Sequence, residues 1–175
     1  CIRDSSYTRI NNPTVESFEK RVTMLEDGIG SVACASGMAA LTNAFLNILQ
    51  AGDEIVAACG LYGGTVELFD DLKPFGISVK YVKENKPEAF EAEITEKTRL
   101  VFAETIGNPK LDVTDIQAVA EVAHKHDVPL IVDNTVATPY LIQPLKLGAD
   151  IVVHSSSKYI NGSSDAISGI LVCGK

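Results

Sequence analysis

Lys158 closes the run Ser155-Ser156-Ser157-Lys158, directly behind the apolar segment 150–154. A desolvated amine with a depressed pKa at such a position can condense with an aldehyde, while the flanking hydroxyls hold a phosphate. An ordinary surface lysine is the competing reading. Asp133 ends Leu130-Ile131-Val132, and an aspartate behind three apolar residues is costly to bury without a partner. It caps a helix, makes a salt bridge, or faces a protonated heterocycle. Each of the two stands at an expected strand end, so neighbouring strands would bring both to one ring.

Three further groups fit the same chemistry. Ser36-Gly37-Met38 precedes the apolar segment 38–50. N–H groups at a helix start, beside a glycine that permits close approach, bind phosphate, although Ser-Gly is also a plain helix cap. Leu61-Tyr62-Gly63-Gly64-Thr65 puts an aromatic ring beside two glycines. Tyr62 either stacks on a flat cofactor and moves a proton, or packs over a turn. In Glu104-Thr105-Ile106-Gly107-Asn108-Pro109, Asn108 either donates to a ring oxygen or substrate carboxylate, or makes the turn. Pyridoxal phosphate supplies the aldehyde, the pyridinium and the phosphate that these residues would meet.

Look-alike motifs carry less. Gly28-Ile29-Gly30-Ser31-Val32-Ala33 resembles a dinucleotide fingerprint but follows an expected helix instead of a strand. Ser155-x-x-Lys158 resembles the acyl-enzyme motif of penicillin-recognising proteins, whose companion motifs are absent. Asn161-Gly162-Ser163 forms a glycosylation sequon in a chain without secretory features. The cysteines, Cys1, Cys34, Cys59 and Cys173, form no C-x-x-C and read as small buried thiols in a reducing cytoplasm. His124 and His126 face different sides of an expected helix, so no metal site is expected.

The elements that must position these groups alternate helix and strand. The spacing predicts helices over 14–27, 38–50, 63–73 and 112–126, with Thr14 as a cap and Gly28 as a stop for the first. Strands are predicted over 54–59, 78–83, 99–104, 129–134, 150–154 and 169–173, and a solvated helix-loop over 84–98. This is an α/β architecture with a mostly parallel sheet flanked by helices, whose ligands bind beyond the carboxyl ends of the strands. At 175 residues, with 46% hydrophobic and 22% charged residues, the chain suits one globular domain. A formal charge of -8 argues against nucleic-acid or anionic-membrane partners, and no apolar run has the length of a membrane span.

In order, Tyr7-Thr8-Arg9-Ile10-Asn11-Asn12-Pro13-Thr14, Ala35-Ser36-Gly37-Met38-Ala39, the Tyr62 and Asn108 segments, Val132-Asp133-Asn134-Thr135 and Val153-His154-Ser155-Ser156-Ser157-Lys158-Tyr159 resemble the Cys/Met-metabolism family of pyridoxal-phosphate enzymes. The resemblance spans essentially the whole chain. It implies the large cofactor-binding domain of a fold-type I enzyme over 1–175, without the family's N-terminal arm and C-terminal domain. It implies a Schiff-base role for Lys158, pyridinium binding by Asp133, and ring stacking with proton transfer by Tyr62. Gly37, Met38, Ser155 and Ser157 would hold the phosphate, and Asn108 would reach the ring oxygen or substrate carboxylate. Tyr7 and Arg9 would reach a neighbouring subunit's phosphate, so the resemblance implies a homo-oligomer with shared sites, at least a dimer, with dimer and homotetramer both open.

The segments 106–109, 121–129 and 134–140 are most similar to O-acetylhomoserine sulfhydrylases, which replace the γ-acetate of O-acetyl-L-homoserine with a sulfur donor to give homocysteine. Methionine γ-lyase and cystathionine γ-synthase or lyase share the same residues, and a phosphate- or nucleotide-binding module is the non-enzymatic alternative. Asn161-Gly162-Ser163-Ser164 lacks the histidine usual in the family. The family arginine that binds the substrate carboxylate lies in the domain beyond 175, so the 175-residue chain by itself is expected to bind cofactor but turn over little substrate.

Overall fold

The structure, a computed structural model, describes residues 7–174; Cys1 lies outside them. Its strands are β1 (Gly30–Cys34), β2 (Glu54–Ala57), β3 (Ser78–Tyr81), β4 (Thr98–Glu104), β5 (Leu130–Asp133), β6 (Ile151–His154) and β7 (Gly169–Cys173). Its helices are α1 (Pro13–Glu26), α2 (Gly37–Ile48), α3 (Gly63–Leu72), α4 (Pro87–Glu93), α5 (Ile116–Lys125) and α6 (Thr138–Leu141). The strands form one sheet of order β1-β7-β6-β5-β4-β2-β3. The run from β6 to β3 is parallel, and β7 lies antiparallel to both β6 and β1. The expected mostly parallel α/β sheet is therefore present, closed at one side by an antiparallel pair.

Apolar sequence explains the central strands. The side chains of β2 are all buried, as are most of those in β4 and β5, as strands covered on both faces require. Phe45 of α2, Phe69 of α3 and Phe102 of β4 fill the space above them, with ring centroids 5.4–5.7 Å apart in stacked and edge-on arrangements. β1 was not predicted. Its five residues, with Val32 half exposed, lie on the sheet edge, where no run of apolar residues marks a strand.

Two helix boundaries correct the sequence reading. Asn12, not Thr14, caps α1: its side chain accepts the Thr14 N–H at 2.9 Å, and Pro13 occupies the first helical position, where a missing N–H costs nothing. Asp27, not Gly28, takes the left-handed conformation that ends α1, with φ 61°. A short polar side chain tolerates that region better than most. The thiols of Cys34, Cys59 and Cys173 are free but only half-buried. No helix among the described residues is long and apolar enough to cross a membrane, and no cluster of three metal-ligating side chains occurs among them.

Parallel pairing sets the site. Glu104, at the end of β4, lies level with Asp133, at the end of β5, and Asp133 lies level with Val153 of β6. Three polar residues, Glu104, Asp133 and His154, thus end three adjacent strands on one edge.

Candidate active site

An opening of about 630 Å³ lies over that edge. Gly37, Met38, Tyr62, Asn108, Asp133, Ser155, Ser157 and Lys158 all line it, so eight of the ten residues singled out in the sequence meet in one place. Tyr7 and Arg9 do not. They are exposed ahead of α1, with the Arg9 guanidinium 5.4 Å from the centre of the Tyr7 ring.

The α2 end of this opening is built by close packing. Ser36 caps α2, its hydroxyl accepting the Ala39 N–H at 3.1 Å, and the Gly37 and Met38 N–H groups remain at the helix mouth. A Cβ on Gly37 would stand 2.6 Å from the Ser155 Cβ, closer than atoms can approach. Only glycine lets the helix start press against the serine turn, which concentrates N–H donors and a hydroxyl in one cradle. Ser157 is differently engaged. Its hydroxyl donates to the Ser168 carbonyl at 3.0 Å and accepts the Ser168 N–H at 2.9 Å. Its single proton is spent holding the turn against the strand that follows.

Asp133 sits at the other end. Burial raises its carboxyl above the usual range, while the Thr135 hydroxyl and N–H and the nearby His154 pull it back. The Thr135 N–H donates to Asp133 at 2.8 Å, and the Thr135 hydroxyl accepts the Ser155 N–H at 2.8 Å. Thr135 therefore ties the carboxylate to the phosphate cradle. The signal for it was the Asp-x-Thr spacing, in which a side chain bonds the backbone two residues on.

Lys158 follows in a turn whose N–H donates to the Ser155 carbonyl at 3.1 Å. Its side chain is exposed, contrary to the desolvated amine expected from sequence. Tyr62 is 48% exposed and its ring lies across the start of α3. A Cβ on Gly64 would meet that ring at 2.6 Å, whereas one on Gly63 would meet nothing, so it is Gly64 that makes room for the ring.

Two buried elements carry no mark of function in the sequence. Glu104 is 5% exposed and accepts the Tyr62 N–H at 2.7 Å. Burial pushes its carboxyl up to about 7, the Asp133 charge adds to this, and the Tyr62 and Asn108 N–H groups oppose it. Beneath Asp133, the wholly buried Glu26 and His154 meet at 2.6 Å, and Asn134 donates to the same Glu26 oxygen at 3.0 Å. This cluster joins the end of α1 to the ends of β5 and β6. Glu104 and His154 are legible in sequence only as polar strand ends, and Glu26 only as part of an amphipathic helix.

An amine, a carboxylate and a phosphate cradle around one opening suit a phosphorylated aldehyde with a basic ring. The family model described as Cys/Met metabolism PLP-dependent enzyme matches residues 3–175. The O-acetyl-L-homoserine sulfhydrylase of Leptospira meyeri is 51% identical over 169 residues, 96% of this chain and 38% of the relative. The L-methionine gamma-lyase of Porphyromonas gingivalis is 46% identical over 168 residues, 95% of this chain and 42% of the relative. A solved structure from Campylobacter jejuni superposes with a TM-score of 0.93 at 38% identity, covering 97% of this chain and 42% of that one. It is described as an O-acetylhomoserine (thiol)-lyase and carries N'-pyridoxyl-lysine-5'-monophosphate. The chain spans about two fifths of the length of these relatives. Over that span sequence, sheet and site agree: the chain belongs to the Cys/Met-metabolism family of PLP-dependent enzymes.

Proposed function

We propose that this chain is the cofactor-binding part of a PLP-dependent O-acetylhomoserine sulfhydrylase. The observation that carries the reading is the convergence of Lys158, Asp133, Tyr62 and the Gly37–Ser155 cradle on one opening. The residues fit the cofactor: the cradle needs glycine at 37, and its donors suit a phosphate. Gly37 and Met38 would hold that phosphate through their N–H groups and Ser155 through its hydroxyl, with Ser157 shaping the turn. Asp133 would hold the ring nitrogen protonated, and Tyr62 would cover the ring face.

When bound, pyridoxal phosphate supplies an aldehyde carbon for an amine and an electron sink for proton loss from an amino-acid substrate. Lys158 would supply the amine that bonds to that aldehyde carbon and would carry protons to and from the substrate. Tyr62 would cover one face of the ring and assist proton transfer through its hydroxyl. Asn108 would orient the ring oxygen or the substrate carboxylate. Replacement of the γ-acetate of O-acetyl-L-homoserine by a sulfur donor would then give homocysteine and acetate, as part of methionine biosynthesis in the cytoplasm. Tyr7 and Arg9, standing outside their own opening, would serve the phosphate of a second copy in a homotetramer.

The 46% identity to a methionine gamma-lyase favours a second reading in the same family, elimination of the γ-substituent without replacement. The visible absorption spectrum with added pyridoxal phosphate, before and after borohydride, tests the site. The expected result is a visible band that reduction traps on the protein and that Lys158→Ala abolishes. An unchanged spectrum in Lys158→Ala overturns the assignment of the lysine. Product analysis then separates the two reactions: homocysteine from ester and sulfide, or α-keto acid and ammonia.

A further inference from the structure

Glu104 has no role in the reading above, yet it is buried at the opening, and burial and a charged neighbour both raise its carboxyl. It lines the opening, accepts the Tyr62 N–H at 2.7 Å, and lies level with Asp133 on the adjoining strand. On the β2 side the chain continues through Ala57, Ala58, Cys59 and Gly60, of which only the Cys59 thiol can titrate. Asp133 is thus the charged group that Glu104 faces, and Lys158 shares the opening with it.

We propose that Glu104 is a positioning residue: it holds the Tyr62 turn by its N–H and answers the cation received by Asp133, releasing a proton to solvent as cofactor binds. The inference rests on the proposed binding of pyridoxal phosphate. Burial and the Asp133 charge together hold the Glu104 carboxyl near 7, so around neutral pH a large fraction of it carries a proton. Burial is the larger cause, but a ring cation on Asp133 would remove the repulsive part and favour the ionised Glu104, whose bond to the Tyr62 N–H would then be charge-assisted and stronger. Loading of the ring pocket and fixation of the stacking tyrosine are then one coupled event.

The test is the dissociation constant of pyridoxal phosphate, titrated by visible absorbance from pH 5.5 to 8 in the wild type and in Glu104→Gln. The amide keeps an acceptor for Tyr62 but cannot titrate. Protonation of the phosphate and of Lys158 cancels in the ratio of the two constants. Each unit by which binding lowers the Glu104 carboxyl can change that ratio by up to about tenfold. The expected result is a ratio, wild type over variant, that falls threefold or more from pH 5.5 to 8; a smaller change overturns the proposal. Failure of the wild type to bind pyridoxal phosphate at any pH overturns it together with the proposed function, whereas binding with a constant ratio overturns the Glu104 role alone. Should Glu104→Gln not fold, the ¹³C carboxyl resonance of Glu104 in the wild type, assigned with Glu104→Asp, gives the same answer. Its titration midpoint drops when cofactor is added, and an unmoved midpoint overturns the proposal.

Discussion

Glu104 also makes the stability of the cofactor-free protein depend on pH. A carboxyl ordinarily near 4.5 that is held at about 7 in the fold binds more protons folded than unfolded between those values. Its contribution is fully present below the unfolded value and is lost as pH rises to about 7. The loss amounts to up to about 3 kcal/mol from this one group. Denaturant unfolding at pH 5 and pH 7.5 is expected to show a smaller pH-dependent loss in Glu104→Gln than in the wild type. Equal losses in the two proteins would mean that Glu104 is not the titrating group. Gly37 makes the complementary case, in which shape matters instead of charge. Gly37→Ala forces a carbon to within 2.6 Å of Ser155, and overpacking of this kind costs about 1–3 kcal/mol. Since the strain falls on the phosphate cradle, cofactor affinity is expected to drop by about tenfold or more, the equivalent of about 1.4 kcal/mol. Wild-type affinity in Gly37→Ala, read by absorbance titration, would remove the cradle from the binding site.

At the scale of elements, α2 and the turn before α3 do most of the positioning. α2 aims its N-terminus at the serine turn because Ser36 fixes where the helix begins. Ser36→Ala removes the acceptor of the Ala39 N–H and is expected to cost about 1 kcal/mol, Ser36→Gly only a few tenths. For a chain of this size that is a fall of about 2–4 °C in Tm for the alanine variant. Equal melting temperatures for the two variants would show that the cap does not set the helix start. This helix is legible in sequence because Ser-Gly stands before a largely apolar run, and β5 and β6 are legible because central parallel strands are apolar nearly to their ends. The edge strand β1 is not, since its short run Gly30–Cys34 holds small residues, none fully buried, and its partner, β7, is far along the chain. The site divides in the same way. Lys158, Asp133, Tyr62 and Gly37 stand out because each breaks the local pattern of its element. Glu104, Thr135 and the Glu26–His154 pair act through tertiary contacts between distant segments, and only folding shows them meeting.

Across the whole molecule, the exposed apolar side chains point to an incomplete surface. Tyr7, Ile10, Met24, Leu25, Ile29, Tyr140, Leu141 and Tyr159 are each at least half exposed, more large apolar groups than a solvent-facing surface usually gathers. Tyr7 stands beside Arg9 and does not line its own chain's opening, whereas Tyr159 does line it. A second copy packed there would cover this surface and bring Arg9 to the neighbouring phosphate, as the proposed shared site requires. The arrangement makes a quantitative prediction. With this chain joined to a substrate-binding domain of the family, Lys158→Ala and Arg9→Ala are each expected to lose most activity alone, because every site lacks one member. Mixed after dissociation and reassembled at random, half of the two-fold pairs combine one copy of each. In such a pair, one site takes its lysine from the Arg9→Ala copy and its arginine from the Lys158→Ala copy, and is intact. Activity should therefore return to about a quarter of the wild-type level, the proportion set by two-fold symmetry. No recovery on mixing, with both variants shown by sedimentation to form mixed oligomers, would place Arg9 in its own subunit's site or in none.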